Sequence, residues 1–183
     1  MADAVLPWAR MRQDEGADAD ARALLRRAVG LDPTSVRAWL EYGLAEDSAG
    51  NSAAAVAAFE EAIARDSNSA WGHGCMAWIR LRQGATLSAL RHSVRAVALD
   101  PRYADAYAIL AGSLDAFRLR GLALAMFERA IELDPRRAWP RLRLAALLAE
   151  EGRTDAAIEI LDSFLQLVPD DEAARGMLAQ LRE

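Results

Sequence analysis

The sequence contains no lysine, so all 22 of its basic side chains are arginines. Arginine presents a planar group that binds carboxylates through two parallel hydrogen bonds and stacks on aromatic rings. A GC-rich genome also produces such arginine-rich and alanine-rich usage. The 27 acidic residues outnumber the basic ones, which gives a net charge of −5 and an isoelectric point near 5.2. This balance argues against general affinity for nucleic acid.

Cysteine is almost as scarce as lysine. Cys75 is alone, which excludes an internal disulfide and fits a reducing compartment. The first residues, MADAVLPWAR, lack the basic start and apolar run of a signal peptide. No apolar run is long enough to cross a bilayer. We therefore expect a cytoplasmic chain without membrane insertion, or a periplasmic one if an export signal or anchor lies outside this sequence.

Strand patterns and common catalytic motifs are missing as well. No run rich in Val, Ile and Thr alternates with polar residues, so an all-α fold is predicted. His73 and Cys75 are two residues apart and would point to different sides of a helix, and with His92 they have no fourth candidate ligand. No glycine-rich segment fits a phosphate-binding loop. The sequence therefore predicts no catalytic residue, no metal site and no cofactor.

One helix ending is present five times, in a chain that is 53% hydrophobic. The five segments start 34 residues apart, at residues 23, 57, 91, 125 and 159: ALLRRAVGLDP, AAFEEAIARDS, RHSVRAVALDP, AMFERAIELDP and EILDSFLQLVP. Such a period predicts stacked helical hairpins, because one hairpin cannot bury its apolar face alone. Residues 2–171 divide into five repeats and residues 172–183 form a capping helix. The repeats are 2–35, 36–69, 70–103, 104–137 and 138–171.

Equivalent positions of the repeats carry similar residues. Position 15 is glycine except for Arg118, which predicts the left-handed backbone that ends a helix. Positions 8 and 20 are small throughout, so two antiparallel helices can approach closely. Each repeat is thus predicted to contain helix A, a glycine turn, helix B and an Asp-Pro turn, with Ser35, Ser69 and Asp171 as N-caps. Pro7 predicts a late start or a kink in the first helix A.

This pattern resembles the tetratricopeptide repeat. The second repeat matches best, with these residues at the family's positions 4, 7–8, 15, 20, 24 and 27: Trp39, Tyr42-Gly43, Gly50, Ala55, Phe59 and Ala62. The resemblance implies a right-handed α-solenoid of five helix-turn-helix repeats. It also implies a non-enzymatic scaffold or adaptor whose helices A line a concave groove that holds a peptide or helix of a partner protein.

The resemblance also implies which residues face the groove, at positions 2, 5, 6, 9, 12 and 13 of helix A. Carried onto this sequence, they give the candidate partner-binding residues: Arg37, Leu40, Glu41, Leu44, Asp47, Trp71, Gly74, Trp78, Leu81, Arg82, Asp105, Gly112, Asp115 and Trp139. Trp71 and Trp78 share a helix face because they are seven residues apart, and Gly74 between them leaves room for a ligand backbone. They form a binding hot spot, or they pack against a neighbouring helix A.

The charges of these candidates suggest a partner. Carboxylates outnumber arginines, so we expect a protein or peptide that is apolar with basic flanks. The binding of chaperone C-termini through Lys and Asn, known for some family members, is not expected, because the chain has no Lys and its two Asn lie in turns. Position 11 carries Arg12, Glu46 and Arg80, which predicts a ladder of ion pairs across repeats or three solvated charges.

Two other functions stay open at this stage. The chain is also interpretable as a self-association module that forms a homo-oligomer or belongs to a secretion, pilus or cytochrome-maturation machine. It is equally interpretable as the regulatory part of a larger transferase. Fold resemblance alone does not distinguish these functions, because function depends on the site rather than on the fold.

Overall fold

The computed structural model describes the backbone of residues 2–183 and the side chains from residue 5 onward, and this part of the chain is all-α. Its eleven helices are α1 (Ala2–Asp14), α2 (Asp18–Leu31), α3 (Val36–Ser48), α4 (Ser52–Arg65), α5 (Ala70–Arg82), α6 (Thr86–Leu99), α7 (Ala104–Ala116), α8 (Arg120–Leu133), α9 (Ala138–Glu150), α10 (Thr154–Leu167) and α11 (Glu172–Leu181). The odd-numbered helices start at residues 2, 36, 70, 104, 138 and 172, so each starts 34 residues after the last. The predicted all-α fold class is confirmed.

The chain divides into two compact units, Met1–Ala85 and Thr86–Glu183. In the first unit α1 packs on α2, α2 on α3, α3 on α4 and α4 on α5. In the second unit the same order of packing runs from α6 to α11. Each predicted repeat encloses one helix A and one helix B, and the division between the units falls within the third repeat.

The turn after each helix A closes in the left-handed conformation. The φ angles of its position-15 residues are 74° at Gly16, 81° at Gly50, 72° at Gly84, 61° at Arg118 and 76° at Gly152. These residues end their helices with the hydrogen bonds of a Schellman motif, in which two amides after the helix reach back to its last carbonyls. The prediction from the glycine pattern is confirmed, and Arg118 adopts the same conformation despite its side chain.

The starts of helices A follow the predicted caps. The Ser35 hydroxyl accepts a hydrogen bond from the Ala38 amide at 3.2 Å, and the Asp171 carboxylate accepts one from the Ala174 amide at 2.8 Å. Ser69 caps α5 in the same way. Of the two effects predicted for Pro7, the late start is wrong, since α1 begins at Ala2 and runs through Pro7, and the kink stays a prediction.

In the second and fourth repeats, helices A and B cross where a small residue faces a large one. A Cβ added to Gly43 of α3 would lie 2.4 Å from Cε1 of Phe59 in α4, which is itself 1% exposed. In the second unit Ala111, Ala123 and Phe127 are buried in one cluster. The small residues predicted at positions 8 and 20 therefore set the distance between the two helices.

The last helix, α11, covers the core of the second unit. Ala174 and Leu178 are buried in that core, and Met177 and Leu181 pack against its edge. Its remaining residues are exposed, and those with long side chains are polar: Glu172, Arg175 and Gln180. The helix predicted for residues 172–183 is therefore present and packs on the fifth repeat, and its role as a cap stays a prediction.

The turn at Arg118 provides a test of backbone strain. A non-glycine residue in the left-handed region costs about 1–2 kcal/mol, and the greater freedom of glycine in the unfolded chain offsets about half of this. We expect Arg118→Gly to raise the free energy of unfolding by about 0.5–1 kcal/mol in urea denaturation followed by circular dichroism. The matched control is Gly152→Ala at the equivalent turn of the same unit, which should lower the free energy of unfolding. Equal or lower stability of Arg118→Gly would contradict this account.

The contact of Gly43 with Phe59 provides a second test. Alanine favours a helix over glycine, but here its methyl group would overlap a buried ring. We expect Gly43→Ala to lower the free energy of unfolding by about 1–3 kcal/mol. The control is Gly30→Ala in α2, where an added Cβ meets nothing within 4 Å and should be neutral or stabilising. If the two variants have the same stability, the close crossing does not limit the size of position 8.

Candidate functional site

The candidate residues of the first unit lie on α3 and α5. Leu40 is 1% exposed and Gly74 is buried, so both lie beneath the solvent-facing side of α3 and α5 and cannot contact a ligand directly. Four apolar side chains of the same set are half-buried and remain open to solvent in part: Leu44, Trp71, Trp78 and Leu81. The structure therefore separates the candidates into supporting residues and residues available for contact.

The two tryptophans of α5 have different surroundings. Trp71 and Leu44 both pack against the cluster that contains Leu40, Phe59 and Met76, so the expected packing against neighbouring helices occurs at Trp71. The guanidinium of Arg82 lies over the ring of Trp78, 5.9 Å from its centroid. Both rings are thus held in place, and each keeps an exposed part.

Ion pairs between neighbouring helices flank these apolar residues. Arg82 of α5 donates two hydrogen bonds to the Asp47 carboxylate of α3, at 2.8 and 2.7 Å. The Glu41 carboxylate of α3 pairs with the guanidinium of Arg10 in α1 at 2.5 Å. The same carboxylate lies 3.9 Å from the guanidinium of Arg37. The paired carboxylates therefore link consecutive helices A.

Exposure differs strongly between the two partners of these pairs. The side chains of Glu41 and Asp47 are 11% and 9% exposed, while those of Arg10, Arg37 and Arg82 are 55%, 54% and 47% exposed. The carboxylates therefore lie beneath the guanidinium groups, and a ligand would meet mainly arginine. Counting residues in the sequence does not show which charges reach the surface, and the basic flanks expected of a partner stay a prediction that these exposed arginines do not favour.

The predicted ladder of Arg12, Glu46 and Arg80 is also wrong, because each residue pairs elsewhere. Arg12 pairs with Glu15 at 2.9 Å and Arg80 with Glu60 at 3.4 Å. Glu46 accepts a hydrogen bond from the Asn51 side-chain amide at 2.7 Å and lies 3.7 Å from Arg22.

Glu46 also affects a neighbouring tyrosine. Burial raises the pKa of Tyr42, and a hydrogen bond to Glu46 raises it further. The hydroxyl of Tyr42 is thereby held in its neutral form, which can donate to the carboxylate. The carboxylate of Glu46 thus serves a local network within repeats 1 and 2.

A set of hydrogen bonds at position 4 was missed by sequence reasoning. The side-chain nitrogens of Trp39 and Arg141 donate to the carbonyls of Pro33 and Pro135, at 2.9 and 3.0 Å. His73 makes the equivalent contact with the Ser67 carbonyl at 3.2 Å. All three acceptors lie at position 32 of the preceding repeat. The sequence contained one indication of these bonds: Trp, His and Arg differ in size and charge, but each has a side-chain N–H that can donate a hydrogen bond.

These contacts give His73 a structural part at a repeat junction. The side chain joins α5 to the turn that precedes it, as Trp39 does for α3. Within the described part of the chain, no group of three or more His, Cys, Asp or Glu side chains is arranged to hold a metal ion.

The candidates of the second unit follow the same charge pattern. Arg143 of α9 pairs with Asp115 of α7 at 2.9 Å, and the Asp115 side chain is 16% exposed against 42% for Arg143. Asp105 is bound by two guanidinium nitrogens of Arg137. Gly112 is half-buried, and Trp139 packs edge-on against Phe127 with ring centroids 5.9 Å apart. Trp139 therefore contributes to the core of this unit.

Comparison with known proteins identifies relatives of the whole chain. Two family models, both described as tetratricopeptide repeat, match residues 8–70 and 121–181. Cellulose synthase operon protein C of Xanthomonas axonopodis pv. citri (strain 306) is 29% identical over 189 residues, which covers 94% of this chain. The chain spans only 12% of the length of that relative.

Solved structures share the fold at low sequence identity. A thermophilic tetratricopeptide-repeat protein of Thermus thermophilus has a TM-score of 0.85 and 21% identity over 99% of this chain and 98% of that one. Pseudomonas aeruginosa pilF has a TM-score of 0.79 and 20% identity over 99% and 90% of the two chains. YrrB, described as having an unusual peptide-binding site, has a TM-score of 0.65 and 20% identity over 97% and 91%.

These observations agree with one another. Residues 2–183 include no helix with both the length and the apolar character of a membrane span. Paired helices recur at one interval with left-handed turns between them, and the two family matches cover most of the chain. The chain belongs to the tetratricopeptide-repeat family of protein-interaction modules.

Proposed function

We propose that this chain is a non-enzymatic scaffold or adaptor that holds a peptide or helix of a partner protein on the face formed by α3 and α5. The observation that carries the proposal is the half-buried pair Trp71 and Trp78 on one face of α5, each with a part open to solvent, and the ion pair of Arg82 with Asp47 beside it. Tetratricopeptide-repeat folds are typically non-catalytic, which supports a binding role. The peptide-binding site described for YrrB supports it by analogy of fold.

The apolar centre of this face fits the requirements of a hot spot. Leu44 and Trp71 rest on a buried cluster, so they lose little conformational freedom when a ligand binds. Trp78 is held by Arg82, whose guanidinium is itself fixed by Asp47. Large, pre-positioned aromatic side chains surrounded by polar groups account for most of the binding energy in many protein interfaces.

The charges at the edge of this face indicate the flanks of the partner. Glu41 is shared by Arg10 and Arg37, and Asp47 is paired with Arg82, so three guanidinium groups meet two carboxylates. The guanidinium groups are also the more exposed partners. We therefore propose an apolar segment with acidic flanks, in place of the basic flanks that the sequence suggested.

The tryptophan pair can be tested by affinity capture from a lysate of the source cell. We expect the wild-type chain to retain a partner that Trp71→Ala/Trp78→Ala loses, because the double substitution removes the apolar centre. The matched control is Leu87→Ala/Val94→Ala on α6, an exposed apolar pair that is also seven residues apart but lies in the other unit. Circular dichroism checks that all variants fold. Equal retention by wild type and the tryptophan variant would place the binding site elsewhere.

The acidic flanks can be tested with the captured partner by reversing one exposed charge. Arg37 is 54% exposed and lies 3.9 Å from Glu41, so its substitution disturbs the fold little. We expect Arg37→Glu to weaken binding of that partner several-fold at low salt, with a smaller difference at high salt. Titration calorimetry would measure both. Tighter binding by Arg37→Glu would instead show that the flanks of the partner are basic.

A further inference from the structure

Arg141 is a charged side chain in a place where other repeats have an aromatic one. It lies at position 4 of the fifth repeat, where the second and fourth repeats carry Trp39 and Tyr107. Those two residues are half-buried, whereas Arg141 is only 6% exposed. Its Nε donates to the Pro135 carbonyl at 3.0 Å, and its guanidinium lies over the ring of Phe164, 5.4 Å from the centroid. The fold therefore removes most of a cationic side chain from water, which costs free energy unless an opposite charge compensates.

Three other arginines that lie over aromatic rings have such a compensating charge. Each pairs with a carboxylate: Arg65 over Trp39 with Glu61, Arg82 over Trp78 with Asp47, and Arg129 over Tyr107 with Glu132. Their side chains are 25%, 47% and 45% exposed, so water solvates them as well. No carboxylate of a described residue pairs with Arg141. Of these four stacked arginines, the one with the least access to water is thus the one without a carboxylate.

The pKa values of two of these side chains differ in the same sense. A hydrogen bond to Glu132 raises the pKa of Arg129, and a hydrogen bond to Tyr107 raises it further. Burial lowers the pKa of Arg141, and no charged group among the described residues offsets this effect. The guanidinium stays protonated, because the ordinary pKa of arginine lies far above neutral pH. Arg141 therefore carries an uncompensated positive charge in the folded chain.

Two nitrogens of Arg141 are available to a ligand. Its Nη atoms donate no hydrogen bond to a described residue. Within this same part of the chain, the enclosed side-chain nitrogens that lack a hydrogen-bond partner are limited to Nε of Arg22. The Nη atoms of Arg141 are therefore not enclosed, and they form the solvent-facing end of a recessed side chain. Together they are a fork that can hold a carboxylate through two parallel hydrogen bonds.

We propose that Arg141 is a binding site for a carboxylate, which its two Nη atoms hold at the surface of the fifth repeat. A carboxylate carries one negative charge, so the bound pair is neutral, whereas a phosphate group carries more charge into a mostly apolar place. The ring of Phe164 and the Pro135 carbonyl hold the guanidinium in position, so it loses little freedom on binding. Position 4 is not among the groove positions, and the site is independent of the face on α3 and α5.

Unfolding in urea, followed by circular dichroism, tests the site with acetate as the probe and sodium chloride of equal ionic strength as the reference. Once acetate exceeds its Kd, each tenfold increase should raise the folding equilibrium constant of wild type up to tenfold, or about 1.4 kcal/mol. Arg141→Trp should lose this dependence. The variant should fold, because Trp39 makes the same hydrogen bond from the same position of the second repeat. In chloride it should be at least as stable as wild type, since it removes an uncompensated charge.

The carboxylate can come from a small acid or from a protein side chain, and a second probe separates these sources. The capped peptide acetyl-Ala-Glu-Ala-amide carries one carboxylate, and its Gln counterpart carries none. Stabilisation of wild type by the Glu peptide but not by the Gln peptide identifies the side chain of a protein as a ligand. Stabilisation by acetate alone identifies a small free carboxylate. Both results require that the Arg141 variant does not respond.

Two further variants separate loss of the site from a change in the fold. Arg141→Met removes the charge without adding a larger ring, and it should lose the response to acetate as Arg141→Trp does. The matched control is Arg129→Met, which removes a stacked arginine of the same unit that already has a carboxylate and should respond like wild type. Equal responses of wild type and the Arg141 variants would overturn the proposal. Loss of the response in Arg129→Met would also overturn it, as would a wild type that acetate stabilises no more than chloride.

Discussion

The close crossing of helix A and helix B is the contact on which the rest of a repeat depends wherever both helices belong to one unit. Position 8 is small in every repeat, and at Gly43 even a methyl group would overlap the buried ring of Phe59. This distance determines how the two helices are turned about their axes. Positions 7 and 10 can then reach the preceding repeat, as they do between the first two repeats at Tyr42 and Ala45.

The same geometry decides which side chains are left for binding. Once positions 7, 8 and 10 are used for packing, the remaining face of helix A carries the tryptophans of α5 and the ion pairs that join it to α3. The carboxylates of these pairs are shorter than arginine, so they lie close to the backbone while the guanidinium groups extend over them. A face whose sequence is rich in acidic residues thus presents arginine to solvent.

The bounds of the helices could be predicted from the sequence because they depend on neighbours in the chain. Glycine at position 15, proline at position 32 and the caps Ser35, Ser69 and Asp171 all act within a few residues of where they stand. At Arg118 the residue type alone would not predict the left-handed turn, because a non-glycine side chain disfavours that conformation, yet the turn forms there as in the other repeats.

The pairing of charged side chains could not be predicted in the same way. Position 11 lines up Arg12, Glu46 and Arg80 in the repeat register, but an ion pair forms with whichever opposite charge lies within a few ångströms.

For Glu46 the neighbours are Arg22, in the first helix B, and Asn51, just before the second. The hydrogen bonds that Trp39, His73 and Arg141 make at the repeat junctions were not predicted for a related reason. Their acceptors are backbone carbonyls, which no residue type marks in the sequence.

By itself, the sequence determined the period, the helix ends, the turns and the capping helix, because each follows from local backbone preferences repeated at a fixed interval. The tertiary structure alone decided which charges reach the surface and which tryptophan supports the core. Those properties depend on distances between helices that are far apart in the chain, and such distances are fixed only when the helices pack.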